Sequence, residues 1–219
     1  MIDLHTHTFL SDGVLSPAEL VTRAQEKGYA AIGLTDHVDA SNMSSVLSQL
    51  HTFVHDTQPY LKITVIAGIE LTHVPPGQIS TMVDRARDLG CQLVVLHGET
   101  ISEPVAPGTN EAGIKAGIDI LAHPGIITET EVRLAADRGV CLEITSRPSH
   151  SYANGLVAGL AKRCGAALVL NSDSHAPGDL LSASFKHNVV LSAGLGQSDI
   201  EEIDRNMTAL IGKPNTTVA

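Results

Sequence analysis

The sequence predicts an α/β fold with a parallel sheet, and three observations carry that reading. Seven short apolar runs of strand length alternate with longer segments whose apolar residues recur at helical spacing. Such alternation joins parallel strands through right-handed crossovers. Most of the runs end in a histidine or a carboxylate. The 219 residues are 43% apolar, enough to stock one substantial core and too apolar for a disordered chain. An open doubly wound sheet and a closed barrel both satisfy the pattern. The chain falls short of the roughly 250 residues of an eight-fold barrel, and seven units fit.

The elements follow in order. The first run, 2–5, ends in His5, with His7 just beyond. Ser16-Pro17-Ala18-Glu19 supplies an N-cap, a proline at the first helical position and a glutamate three residues on, so a helix begins there and stops near Gly28. The second run, 30–35, leads into Asp36 and His37, before a helix over 43–56. The third, 63–70, ends in Glu70 and precedes a helix over 79–89. The fourth, 91–97, ends in His97, with a helix at 109–117, and the fifth, 118–123, ends in His123, with a helix at 129–138. The sixth, 140–144, holds Glu143 and precedes a helix over 154–164; the seventh, 167–171, runs into Asp173 and His175, and a last helix covers 198–211. The Pro-rich loops 74–77 and 103–108 are too short to separate domains, so residues 1–219 are expected to form a single domain.

Composition excludes several classes. No apolar run approaches the 18 or so residues of a membrane span, and residues 1–5 lack a basic or apolar leader, so a cytoplasmic protein without membrane contact is expected. A net charge of −10 disfavours a long nucleic acid as partner. Cys91, Cys141 and Cys164 are an odd number, each in or beside an apolar segment, which argues against a disulfide framework. Eleven histidines stand beside three Phe, three Tyr and no Trp, so recognition by ring stacking gives way to metal coordination as the first idea to test.

Position sharpens that idea. In parallel α/β folds the carboxyl ends of the strands open onto one face, where sites are built. Alternate strand residues share a face, so His5 and His7 can point together, as can Asp173 and His175. With Glu70, His37, His97 and His123 they make at least eight nitrogen or oxygen donors on one rim, too many for one tetrahedral ion and suited to a cluster of two or three, Zn, Mn or Fe. A lone histidine at a strand end is ordinarily a hydrogen-bonded loop residue; recurrence at successive strand ends overturns that reading. His51 and His55 are spaced like a helical zinc pair, but their polar segment reads as a solvated face. His73 and His187 read as surface residues. Asp12 lies in a Ser11-Asp12-Gly13 turn and is either a ligand or only a turn residue. Glu143 is a ligand or an acceptor behind one. Asp36 and Glu99 either orient a neighbouring histidine or do nothing, and Asn154 reads as a helix cap.

These residues resemble a known family. His5-Thr6-His7, Ser11-Asp12-Gly13, Thr35-Asp36-His37, Gly68-Ile69-Glu70, Leu96-His97-Gly98, Ala122-His123-Pro124-Gly125, Cys141-Leu142-Glu143-Ile144 and Asn171-Ser172-Asp173-Ser174-His175 occur in the order of the PHP family, the polymerase and histidinol phosphatase domain. The resemblance spans residues 1 to about 180. It implies a distorted seven-stranded (β/α)7 barrel, a TIM-like barrel of PHP type, with a multinuclear metal site. On that pattern His5, His7 and Asp173 hold one ion, Glu70 bridges it to a second held by His97 and His123, and His37 and His175 hold a third, with Asp12 near another donor position. It also implies hydrolysis of a phosphate ester, in which a water acidified by the ions attacks phosphorus in line. Glu70, Asp173, Arg147 and His150 are the expected catalytic set: Arg147 forks onto the phosphate and His150 binds it or protonates the leaving group. The bland alternative for the last two is a solvated loop.

A small phosphomonoester is therefore the expected substrate. A phosphodiesterase or exonuclease acting on short nucleotides is the alternative within enzymes, disfavoured by the lack of a basic stripe or aromatic platform. A metal-dependent amidohydrolase shares the His-x-His barrel, but fits the motif set less well. A non-catalytic metal-binding regulatory module is the alternative of another class, and the complete donor set argues against it. Oligomeric state is left open by the sequence.

Overall fold

The computed structural model describes residues 1–212; residues 213–219 of the expected domain lie outside the described residues. Eight parallel strands alternate with helices. They are β1 (Ile2–Asp3), β2 (Ala31–Leu34), β3 (His37–Val38), β4 (Thr64–Leu71), β5 (Leu93–His97), β6 (Ile120–Ala122), β7 (Cys141–Thr145) and β8 (Leu168–Asn171). The main strands run in the order β1-β2-β4-β5-β6-β7-β8, with β3 paired to β4. Between them lie α1 (Pro17–Glu26), α2 (Met43–Thr57), α3 (Pro76–Asp88), α4 (Thr109–Ala116), α5 (Glu129–Arg138), α6 (Asn154–Cys164), α7 (Ala183–Ser192) and α8 (Gln197–Ile211). The sheet curls into a nearly closed barrel of seven parallel strands, as the sequence led us to expect, and β2, β5, β6, β7 and β8 are buried throughout. Strands covered on both faces read as continuous apolar runs, which is why they stand out in the sequence.

Two elements differ from the sequence reading. The second run splits into β2 and β3 because Thr35 and Asp36 turn toward the first strand: Thr35 N donates to Thr6 O at 2.9 Å, and the Asp36 carboxylate accepts from Thr8 N, Thr8 Oγ1 and Ser11 Oγ. Asp36 thus holds the loop after β1 and orients no histidine. The helix α7 was not expected; its apolar residues Val189, Val190 and Leu191 are adjacent instead of helically spaced, although Ser182 caps it by accepting from Phe185 N at 3.2 Å.

The barrel closes at the β1/β8 seam without a full ladder. A single bridge joins Thr6 to Ser174, with His7 N donating to Ser174 O at 2.8 Å. Asn171 completes the seam: its Oδ1 accepts from Leu4 N at 2.8 Å and its Nδ2 donates to Glu143 Oε2 at 2.8 Å. Helix α8 covers this region, and Asn206 Nδ2 donates to Leu168 O. Among the described residues no helix is long and apolar enough to cross a membrane, and no disulfide joins the cysteines.

Because Asn171 is fully buried, removing its amide strands Leu4 N and takes one of two partners from Glu143 Oε2. We expect Asn171→Ala to lower unfolding free energy by about 2–4 kcal/mol, read as a drop in the denaturant midpoint at unchanged slope. A shift within error of zero would mean that the seam does not depend on this side chain.

Candidate metal centre

The strand ends deliver their polar residues to one end of the barrel through register. His37 lies opposite Glu70 in the β3–β4 ladder, Glu70 opposite Val95 in β4–β5, and His97 opposite Ala122 in β5–β6, so each ligand candidate emerges beside the next. His123 and Asp173 sit just past their strands with positive φ, +26° and +51°. Left-handed backbone in a non-glycine residue costs about 1–3 kcal/mol and recurs at functional sites. Glycines permit the tight turns. A Cβ on Gly13 would lie 2.4 Å from His7 O, and one on Gly125 (φ +64°) would lie 1.9 Å from Glu99 O. The first contact folds the Ser11-Asp12-Gly13 turn back over His7; the second lets the loop after β6 press against the loop after β5.

Glu70 occupies the centre. Its Oε1 lies 3.3 Å from His5 Nε2 and 3.7 Å from His123 Nε2, and its Oε2 lies 2.6 Å from His37 Nδ1 and 3.7 Å from His7 Nε2. Asp173 faces it across the cavity, with Oδ1 3.1 Å from His7 Nε2 and 3.7 Å from His5 Nε2, and Oδ2 3.7 Å from His123 Nε2. Asp12 Oδ1 stands 3.1 Å from His175 Nε2 and 3.5 Å from His37 Nε2. The His97 and His123 rings meet edge to face at 4.6 Å. All nine sequence-derived ligand candidates, His5, His7, Asp12, His37, Glu70, His97, His123, Asp173 and His175, therefore meet in one place. The half-buried His51 and the exposed His55 and His187 belong to none of these contacts, whereas His73, though exposed, lies on the site's rim with its ring 5.6 Å from that of His97.

The donor set fits metal ions. Four groups, His5–His123–Asp173, His5–His7–Glu70, Glu70–His97–His123 and His7–Asp12–His37–His175, each place their donor atoms within 4.8 Å of one another. Several of those atoms, including His5 Nε2, Glu70 Oε1 and Asp173 Oδ1, are buried without a hydrogen-bond partner. Unpartnered buried polar atoms are costly and signal a missing cation or water. Protonation in the metal-free protein tells the same story. Burial works against a charged His5, yet the Glu143, Glu70 and Asp173 carboxylates outweigh it and raise its pKa well above the ordinary value. Glu70 is driven well below the carboxylate range, burial being outweighed by His5 and His37. Burial pushes His7 down to about 4 and also depresses His123. At Asp12 burial is outweighed by the His175 hydrogen bond and the surrounding imidazolium charges, which bring it to about 2. At His37 too the Glu70 and Asp12 carboxylates outweigh burial and raise the pKa, so positive charge is favoured where cations belong.

Behind the donors lies a supporting layer. Glu143 Oε2 sits 2.9 Å from His5 Nδ1 and also accepts from Asn171, so the ring presents Nε2 to the cavity. Glu99 orients no histidine; its Oε1 accepts from Gly108 N and Asn110 N, tying down the start of α4. Asn154 is not a cap: its amide is bonded both ways to the Thr145 backbone. Arg147 and His150 line the cavity, about 450 Å³ in volume. Arg147 Nε is 3.9 Å from Asp173 Oδ2 and its Nη1 3.4 Å from Asp179 Oδ2. His150 Nδ1 is 2.8 Å from Thr100 Oγ1, and its ring stacks on His123 at 4.4 Å. Sequence reading missed Glu103, whose carboxylate lies 3.3 Å from His97 Nε2 and 3.5 Å from His150 Nε2. It also missed Asp179, which accepts from His175 N and Ala176 N. Neither sits at a strand end, so position gave no signal.

This barrel with its clustered imidazoles and carboxylates has known counterparts. The PHP domain model matches residues 3–96. The chain is 44% identical over 201 residues to an uncharacterized protein of Methanocaldococcus jannaschii, covering 91% of this chain and 92% of that one. It is 30% identical over 198 residues to a probable phosphatase of Shewanella sp. (strain ANA-3), covering 80% and 76%. A histidinol phosphate phosphatase from Lactococcus lactis, solved with zinc, L-histidinol and phosphate, superposes with a TM-score of 0.62 at 17% identity, over 89% of this chain and 94% of that one. A chain in a structure of archaeal ribonuclease P with mature tRNA does so with 0.72 at 14%, over 96% and 89%. These two likenesses are of fold. The chain belongs to the PHP family.

Two outcomes follow for metal uptake. Because metal-free His5 holds a proton at neutral pH, loading with divalent ions releases protons, and affinity falls as pH is lowered; calorimetry in buffers of different ionisation enthalpy measures the release. Glu143→Gln, which weakens the acceptor for His5 Nδ1, retains metal about 10–100-fold less well in chelator competition. Loading without proton release, or native retention in Glu143→Gln, would separate His5 from the metal centre.

Proposed function

We propose that this chain is a metal-dependent phosphoesterase that hydrolyses a small phosphomonoester. Its membership of the PHP family and its probable-phosphatase relatives support a hydrolase acting on phosphate esters. The observation that carries the reading is the buried set of imidazole and carboxylate atoms left without partners around Glu70 and Asp173. In this reading His5, His7 and Asp173 would hold one ion, Glu70, His97 and His123 a second, and His37, His175 and Asp12 a third. Divalent ions, Zn, Mn or Fe, supply Lewis acidity there, lowering the pKa of water toward about 7 and neutralising the phosphoryl oxygens.

The chain's own groups do the rest. Arg147 presents its guanidinium to the cavity and forks onto a phosphate, while its anchors Asp173 and Asp179 fix the direction of the fork. His150 Nδ1 lies 2.8 Å from the Thr100 hydroxyl, and its Nε2 lies 3.5 Å from the Glu103 carboxylate, an acceptor that favours the ring proton on Nε2, facing the cavity. His150 Nε2–H thereby hydrogen-bonds the leaving oxygen. Burial lowers the pKa of His150, so it acts as a neutral donor near pH 7. Arg147 is the one Lys or Arg among the described residues lining the cavity, which suits one terminal phosphate better than a polyanionic strand.

The test is phosphate release from an aryl phosphate by protein loaded separately with Zn, Mn and Fe. We expect metal-dependent turnover that falls by at least about 100-fold in His7→Ala, and a raised KM with a smaller change in kcat for Arg147→Ala. Turnover undiminished in His7→Ala would remove the metal mechanism. Full metal loading with no release across a broad panel of phosphate esters would replace the enzyme with a metal-binding module.

A further inference from the structure

We infer that a second cavity beside the metal centre receives an uncharged, hydrocarbon-rich leaving group, so that the preferred substrate is the phosphomonoester of a compact apolar or aryl alcohol. This rests on the phosphoesterase reading and narrows it. The cavity measures about 230 Å³, and His73 and His97 line both it and the metal-site cavity, so the two adjoin at the His97 ring. Its remaining wall is apolar: Val74 and Leu96 on one side, and Pro104, Val105 and Ala106 of the loop after β5 on the other. The single hydroxyl in the wall, Thr109 Oγ1, is spent on Ala106 O at 2.6 Å. Among the described residues, no Lys, Arg, Asp or Glu lines it.

Away from the two imidazoles at its mouth, such a chamber offers no charged group to a phosphate or a carboxylate, and much to hydrocarbon. Cavities of about 150 Å³ with aliphatic walls already admit benzene, so a ring or a short branched chain fits here. The wall is preformed. Glu99 holds Gly108 N and Asn110 N at 3.0 Å each, and Ser102 Oγ donates to Ser149 O at 2.6 Å, fixing the loop at both ends. At the metal-site end stands the Glu103 carboxylate, 3.3 Å from His97 Nε2. Its charge opposes entry of a second anionic group and so selects against bisphosphates and short nucleotides.

The probes are two non-hydrolysable phosphonates, phenylphosphonate and methylphosphonate, titrated calorimetrically into the metal-loaded full chain. We expect the phenyl compound to bind at least about tenfold more tightly. Val105→Trp fills the chamber from a half-buried loop position and should erase that preference while leaving methylphosphonate affinity unchanged; Ala106→Trp, at an exposed position, repeats the test should the first variant fail to fold. Equal affinities in the native chain, binding of neither phosphonate, or a phenyl preference that survives both variants would overturn the assignment. A phenyl preference abolished by the variants, in a protein that releases phosphate from no ester, would uphold the chamber as a ligand subsite and overturn the hydrolase reading alone.

Discussion

The burial of Glu70 and Asp173 among imidazoles is the constraint on which the rest of this structure depends. Both carboxylates are essentially inaccessible to solvent, and the effective penalty for taking an ion out of water is several kcal/mol even after relaxation. The surrounding groups cannot cancel it fully with hydrogen bonds, because Glu70 Oε1, Asp173 Oδ1, His5 Nε2 and both His7 ring nitrogens are buried without a partner. Counter-charge must come from protons on His5 and His37 or from cations. A cluster that needs positive charge at its centre, at the open end of a parallel barrel, has the donor chemistry of a metal site.

The scaffold answers that constraint with backbone and second-layer bonds. Asn171 serves the seam and the site at once, since the amide that closes β1 against β8 also holds Glu143, and Glu143 holds His5. The loop after β1 is bound to Asp36, the loop after β5 to Glu99, and the loop after β8 to Asp179. Each of these carboxylates fixes a loop that carries a proposed ligand or pocket residue, so donor positions are set by rigid turns. Strain at His123 and Asp173 is tolerable only in such surroundings.

Much of this was legible in the sequence because strand periodicity and strand ends are local signals. His5 and His7, two positions apart at and just past the end of the first apolar run, announce a shared face, and Glu70, His97 and His123 repeat at the ends of successive runs. What was not legible depends on how loops fold. Asp36 and Glu99 flank proposed ligands in sequence yet bond backbone amides; Asn154 opens a helix yet clips the end of β7. Glu103 sits in a Pro-rich loop that reads as a mere connector, and only the tie between Ser102 and Ser149 brings it over His97. The helix α7 lacks an apolar stripe because its buried face, Lys186, Val189 and Val190 at helical spacing, carries a lysine at one of the three positions.

Net charge and local charge point in opposite directions here, and geometry decides between them. A chain of −10 repels anions at long range, but screening confines that field to about 8–10 Å at physiological ionic strength. Within that distance a phosphate meets the ions proposed for the cluster and Arg147, whose guanidinium is pinned by Asp179, the same carboxylate that accepts from His175 N and Ala176 N. One residue therefore sets the direction of the phosphate-facing arginine and the position of the loop carrying His175 and Asp173, coupling anion recognition to the donor set mechanically. On the proposed function, a ligand whose charge is concentrated in one terminal group would meet Arg147 while a second anionic group would meet the Glu103 carboxylate, so a preference for monoesters would rest on two carboxylates, Asp179 and Glu103, that touch no phosphate.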